Sequence, residues 1–79
     1  MPIYYVSLSF QRPPNYGDTE VVELLRQAAE RAACSPIEVT AVGVIVECEA
    51  AALDLLETAV RTKLGARGGS LEMFVVRRM

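Results

Sequence analysis

The sequence contains no histidine and no tryptophan, and two of its 79 residues are cysteine. Without histidine there is no imidazole base, which excludes the Ser/His and Cys/His pairs that activate nucleophiles. Two cysteines fall short of the four nitrogen and sulfur ligands of a structural zinc site, and they make a disulfide framework improbable. We therefore expect a protein that is not an enzyme and that carries no metal and no cofactor.

Long apolar runs are also missing. None approaches the roughly 18 consecutive apolar residues that a membrane-spanning helix requires. The first ten residues carry no basic side chain, and serine interrupts their apolar character, unlike the charged and then continuously apolar start of a signal peptide. These features predict a cytoplasmic protein that does not contact a membrane.

The chain is nevertheless rich in apolar residues, which make up 52% of it and give a positive mean hydropathy of +0.27. Seventy-nine residues suit one small domain, spanning residues 1–79. A small domain has a high ratio of surface to volume, so this much apolar material is hard to bury within one copy. We expect a homodimer or another homo-oligomer, or a stable protein partner.

Charge is distributed unevenly along the chain. The net charge is −2, so general nucleic-acid binding is not favoured. The last 19 residues, however, carry five basic side chains and one acidic one. Two interpretations remain open: ordinary solvated charge, or an anion-binding end formed by Arg61, Lys63, Arg67, Arg77 and Arg78.

Four periodic segments are recognisable. Alternating apolar residues from Ile3 to Phe10 predict a strand, and Ser70 to Arg77 predict another. Apolar stripes at helical spacing predict one helix from Asp18 or Thr19 to just before Ser35-Pro36 and a second over residues 49–64. The two helical segments resemble each other at an offset of 31 residues, which indicates that a strand–helix–strand unit occurs twice.

The segment Ile37 to Cys48 decides how many strands the chain has. Ile37, Val39 and Ala41 occupy odd positions, whereas Val44, Val46 and Cys48 occupy even ones, and one continuous strand changes phase only at a bulge. We predict two strands joined by a three-residue hairpin loop over 41–43, with Gly43 in the left-handed conformation. One long bulged strand is the alternative.

With that hairpin the order of elements is βαββαβ, the order of the ferredoxin-like plait. The prediction is thus an α+β fold with a four-stranded antiparallel sheet and two helices on one face. The side chains expected beneath the helices are Tyr4, Val6, Leu8, Phe10, Ile37, Val39, Val44, Val46, Leu71, Met73 and Val75.

The opposite face of the sheet is then unusually apolar. A solvated face alternates to polar residues, yet this one carries five large apolar side chains, and a patch of that size typically marks an interface. A second copy or a different protein would cover it, unless the assignment of faces is in error. The predicted interface residues are Ile3, Tyr5, Ile45, Phe74 and Val76.

Two cysteines complete the candidates. Cys34 ends the first helix and Cys48 ends the third strand, so the plait brings them near each other. They form either a redox pair or soft-metal site, or two small buried apolar side chains, and we favour the latter.

The sequence thus predicts a non-catalytic interaction domain that self-associates, or that binds or blocks a partner, through its open sheet face. The alternative is a module that binds a small anionic ligand or nucleic acid.

Overall fold

The chain folds as β1(Ile3–Arg12), α1(Asp18–Arg31), β2(Ser35–Thr40), β3(Gly43–Glu47), α2(Ala52–Ala66) and β4(Ser70–Arg78). This is a computed structural model, and it describes residues 1–12 and 17–79. The segment between the predicted first strand and first helix includes residues 13–16, which lie outside the described residues.

The four strands form one sheet in the order β2-β3-β1-β4, and every neighbouring pair is antiparallel. The two helices pack on one face of this sheet. The predicted α+β ferredoxin-like plait is therefore confirmed, with β1 and β3 in the centre.

The segment from residue 37 to residue 48 is a hairpin and not one long strand. Thr40 of β2 pairs directly with Gly43 of β3, so the loop holds two residues, Ala41 and Val42. The Thr40 hydroxyl accepts a hydrogen bond from the Val42 amide at 3.3 Å and donates one to the Gly43 carbonyl at 3.2 Å. This side chain closes a turn that has little polar character of its own.

The predicted role of Gly43 is wrong. It does not adopt the left-handed conformation; among the described glycines that conformation occurs at Gly68, with a φ of 77°. Gly43 is instead the first residue of β3, where a Cβ atom would lie 2.8 Å from the backbone oxygen of Val6. Glycine is required there because the central strand β1 approaches too closely for a side chain.

The core lies between the helices and the sheet, and none of the described polar or charged residues is buried in it. Each helix contributes one apolar stripe, and the central strands contribute alternate residues. Its largest fully buried side chains are Leu25, Leu56, Leu64, Val6, Val44, Val46, Val60 and Cys48.

Candidate interaction surface

Strand register defines the face of the sheet that the helices leave uncovered, which we call the open face. Residues directly opposite each other in an antiparallel pair project to the same face, and successive residues alternate. Tyr4, Val6 and Leu8 are buried beneath the helices, so the residues between them project to the open face. Its members are Ile3, Tyr5, Ser7, Ser9, Ser35, Glu38, Thr40, Gly43, Ile45, Glu47, Met73, Val75 and Arg77.

A bulge in β4 corrects two of the predicted interface residues. Phe74 is paired with Leu8 and Val76 with Val6, so both lie on the helix side of the sheet. Phe74 packs against the core, whereas Val76 is 37% exposed on the sheet's outer strand. The predicted placement of Phe74 and Val76 on the open face is therefore wrong.

The reason is one extra residue in β4. The register passes from Ser9 opposite Met73 to Phe10 opposite Leu71, which leaves Glu72 without a counterpart. Because side chains alternate with a period of two, a single extra residue moves every following side chain to the other face.

The same bulge brings Met73 and Val75, predicted for the core, onto the open face opposite Ser9 and Ser7. A second bulge, in β2, displaces another predicted core residue, Ile37, which is 57% exposed.

The open face remains apolar after these corrections. Tyr5 and Ile45 are direct neighbours across β1 and β3, and Val75 is a diagonal neighbour of Tyr5 on β4. Tyr5 on the central strand β1 is 38% exposed, and Met73 and Val75 on the outer strand β4 are 51% and 45% exposed. We call the five residues Ile3, Tyr5, Ile45, Met73 and Val75 the apolar patch.

A shallow hollow lies beside this patch, on the side of β2 and β3. It has a volume of about 180 Å³. The Tyr5 ring leans over the glycine, so that its hydroxyl oxygen is 3.3 Å from where a Cβ atom of Gly43 would be. The hollow is lined by Tyr5, Glu38, Thr40, Gly43, Val44 and Ile45.

One row of residues crosses all four strands of the open face. Glu38 of β2 is opposite Ile45 of β3, Ile45 is opposite Tyr5 of β1, and Tyr5 is opposite Arg77 of β4. The row therefore presents an acidic residue, two apolar residues and a basic residue in that order. Glu38 and Arg77 are three strand spacings apart, about 14 Å, so they are too distant to pair within one copy.

The basic residues at the end of α2 make contacts within the chain. The Arg61 guanidinium pairs with Glu57, with Nε 2.9 Å from Oε2, and its Nη1 donates to the Leu71 carbonyl at 3.0 Å. The Lys63 ammonium donates to the Gln27 side-chain oxygen at 3.5 Å. Arg61 thus joins α2 to β4, and Lys63 joins α2 to α1.

The five predicted anion-binding residues do not converge on one site. Arg67 follows the last turn of α2, near the start of β4. Arg77 and Arg78 lie near the other end of that strand, about 23 Å from its first residue. Arg77 belongs to the open face, whereas Arg78 pairs with Tyr4 and belongs to the helix side.

The two cysteines lie together in the core, as the topology predicted. Cys34 is 2% exposed and Cys48 0%, and both thiols are free. Burial raises the pKa of Cys34 to about 12, and a hydrogen bond and electrostatic interaction with Cys48 act in the same direction. A thiol held in its neutral form is a poor nucleophile, so Cys34 behaves as a small buried apolar side chain.

Two grooves between the helices were not foreseen from the sequence, because they arise only when α1 and α2 pack together. One, of about 310 Å³, is bordered by acidic Glu20 and Glu23 and basic Lys63 and Arg67. The other, of about 320 Å³, lies beside the exposed Leu55. No polar side chain among the described residues is buried in either groove.

No protein-family model, curated protein or solved structure matches this chain in the comparisons made. Within residues 1–12 and 17–79, no helix is long and apolar enough to cross a membrane. In the same residues, no three acidic or cysteine side chains gather to hold a metal ion. The open face is the feature from which a function can be inferred.

Proposed function

We propose that this protein is a non-catalytic interaction domain that self-associates through the open face of its sheet. The observation that carries the proposal is the apolar patch, in which Tyr5, Met73 and Val75 are each more than one-third exposed. Burying such side chains is favourable by about 25 cal/mol for each Å² removed from water. A contiguous exposed patch on an otherwise ordinary small domain typically marks an interface.

The dimensions of the sheet set the strength of association that we expect. Four strands at about 4.8 Å spacing and about seven residues of strand length give a face of roughly 19 by 23 Å. Two such faces together bury about 900 Å², which is just below the roughly 1,000 Å² expected of a specific interface and in the range of weak, transient ones. The association is therefore expected to be reversible and to depend on protein concentration.

The test is the molar mass of the protein in solution, measured by sedimentation equilibrium over about three orders of magnitude in concentration. The wild type should rise from 8.6 kDa toward twice that mass. Val75→Glu places a charge within the apolar patch and should keep the protein monomeric, because a buried unpaired carboxylate is costly. Circular dichroism checks that this variant is folded.

Leu55→Glu is the matched control. Leu55 is 61% exposed on α2, on the opposite side of the molecule, so the variant makes the same kind of change outside the proposed interface. It should associate like the wild type. A wild type that stays at 8.6 kDa at every concentration contradicts the proposal, as does a Leu55→Glu variant that dissociates as fully as Val75→Glu.

A further inference from the structure

From the row of residues that crosses the open face, we infer that two copies pack sheet against sheet around a two-fold axis parallel to the strands, with Glu38 of each copy paired to Arg77 of the other. The inference rests on the proposed self-association and adds the geometry of the dimer. It names the occupant of the open face as a second copy of the same chain.

The charges of the row are the first observation. Glu38 lies on one outer strand and Arg77 on the other, and the two centre positions hold Ile45 and Tyr5. The acidic and basic residues are both exposed. Among the described residues the ion pairs are Glu23–Arg26 and Glu57–Arg61, so neither Glu38 nor Arg77 has an ionic partner there.

A two-fold symmetry axis can make this order of charges complementary between two copies. A two-fold axis along the strands, lying between β1 and β3, places each half of the row over the opposite half of the second copy. Glu38 then meets Arg77 of the second copy, and Ile45 meets its Tyr5. Because a two-fold interface is isologous, each of these contacts occurs twice. A two-fold axis along the row would instead set Glu38 against Glu38 and Arg77 against Arg77, which like-charge repulsion disfavours.

The shape of the face agrees with the same axis. The hollow is lined mostly by residues of β2 and β3, on one half of the sheet. The exposed Val75 lies on the other half, in the neighbouring row, where Thr40, Gly43, Ser7 and Val75 are successive cross-strand partners. The axis parallel to the strands brings Val75 of each copy over the Thr40 edge of this hollow. Packed sheets keep their strands within about 30° of one another, which this arrangement permits.

Charge reversal tests the inference. Glu38→Arg leaves position 38 and Arg77 both basic, whereas Arg77→Glu leaves Glu38 and position 77 both acidic. Each variant alone should associate at least about tenfold more weakly than the wild type, because two ion pairs become two repulsions. An equimolar mixture of the two variants should recover wild-type affinity as a heterodimer. So should the double variant Glu38→Arg/Arg77→Glu.

Arg78→Glu is the matched control, since it changes the net charge as Arg77→Glu does but lies on the helix side of the sheet. It should associate like the wild type. If the wild type dimerises and both single reversals dimerise equally well, the inferred geometry is overturned while the proposed function stands. A wild type that remains monomeric overturns both the geometry and the proposed function. Recovery in the mixture, with no effect of Arg78→Glu, supports the geometry.

Discussion

Ala33 has a positive φ of 59°, which is unusual for a residue with a side chain. It follows the last turn of α1, where the Ala33 amide donates to the Glu30 carbonyl and the Cys34 amide donates to the Ala29 carbonyl at 2.8 Å. This is the Schellman arrangement, which normally uses glycine at that position. The second helix ends in the same way with Gly68, three residues beyond Gly65, where the sequence alone suggests that the helix ends.

The two helix ends therefore predict opposite effects of exchanging alanine and glycine. Ala33→Gly should raise the free energy of unfolding by about 0.5–1 kcal/mol, because the left-handed strain exceeds the added entropy of the unfolded chain. Gly68→Ala should lower it by about 1 kcal/mol, although open space surrounds the position. Urea denaturation measures both. The interpretation fails if the two variants shift stability in the same direction.

Cys34 predicts how stability responds to alkaline pH. Its pKa is raised by burial from 9.0 to about 12, whereas the thiol of the unfolded chain keeps an ordinary value. Between these two values the folded protein holds one proton more than the unfolded chain. The contribution of Cys34 to the free energy of unfolding is therefore complete below about pH 9. Above that pH it decreases, by up to about 1.4 kcal/mol for each pH unit.

Denaturation series from about pH 7 to about pH 10.5 compare the wild type with Cys34→Ala. The variant should show a flatter decline above pH 9, since the two proteins differ only at position 34. Parallel curves for the two proteins would show that Cys34 does not keep its proton in the folded state.

At the scale of elements, the bulge in β4 decides which side chains reach the open face. Before Glu72 the strand follows the phase that alternation predicts, with Leu71 in the core. After it, Phe74 and not Met73 projects toward the helices. The sequence of β4 does not reveal this change, because β4 is apolar on both faces and either phase places apolar residues in the core.

Truncation to alanine distinguishes the two phases. Phe74→Ala should lower the free energy of unfolding by about 2 kcal/mol, which is less than for a fully buried phenylalanine because Phe74 is partly buried. Met73→Ala should change it by less than about 0.5 kcal/mol, since Met73 is exposed on the open face. The measurement requires dilute protein, where association does not add to stability. If Met73→Ala destabilises the protein more than Phe74→Ala, β4 alternates without a bulge.

At the scale of the whole molecule, the helices cover one side of the sheet and leave the other uncovered by any described residue. The net charge of −2 conceals a division across that open side, with Glu38 and Glu47 on the strands of one half and Arg77 on the other. The apolar centre of the open face lies between acidic and basic edges. A second copy, rotated about the two-fold axis, places its basic edge over the acidic edge of the first. The mass measurements and the charge reversals proposed above test this property directly.

Much of the fold follows from local features of the sequence. The helical stripes, the alternation in β1 and the phase change around Gly43 were sufficient to predict the element order and the plait. Three of the five predicted interface residues, Ile3, Tyr5 and Ile45, lie on the open face for the same reason. Period-two alternation is a local rule, so it holds wherever a strand is regular.

The remainder depended on tertiary structure. Bulges at Glu72 and near Ile37 are set by how each outer strand pairs with its neighbour, and an apolar strand does not reveal them in its sequence. Gly43 is glycine because β1 passes close to it, not because of its own backbone conformation. The sequence by itself determined which segments are helices and strands. Only the pairing of the strands decided that Met73, Val75 and Arg77 share a surface with Tyr5, because a face of a sheet is a property of register between distant segments.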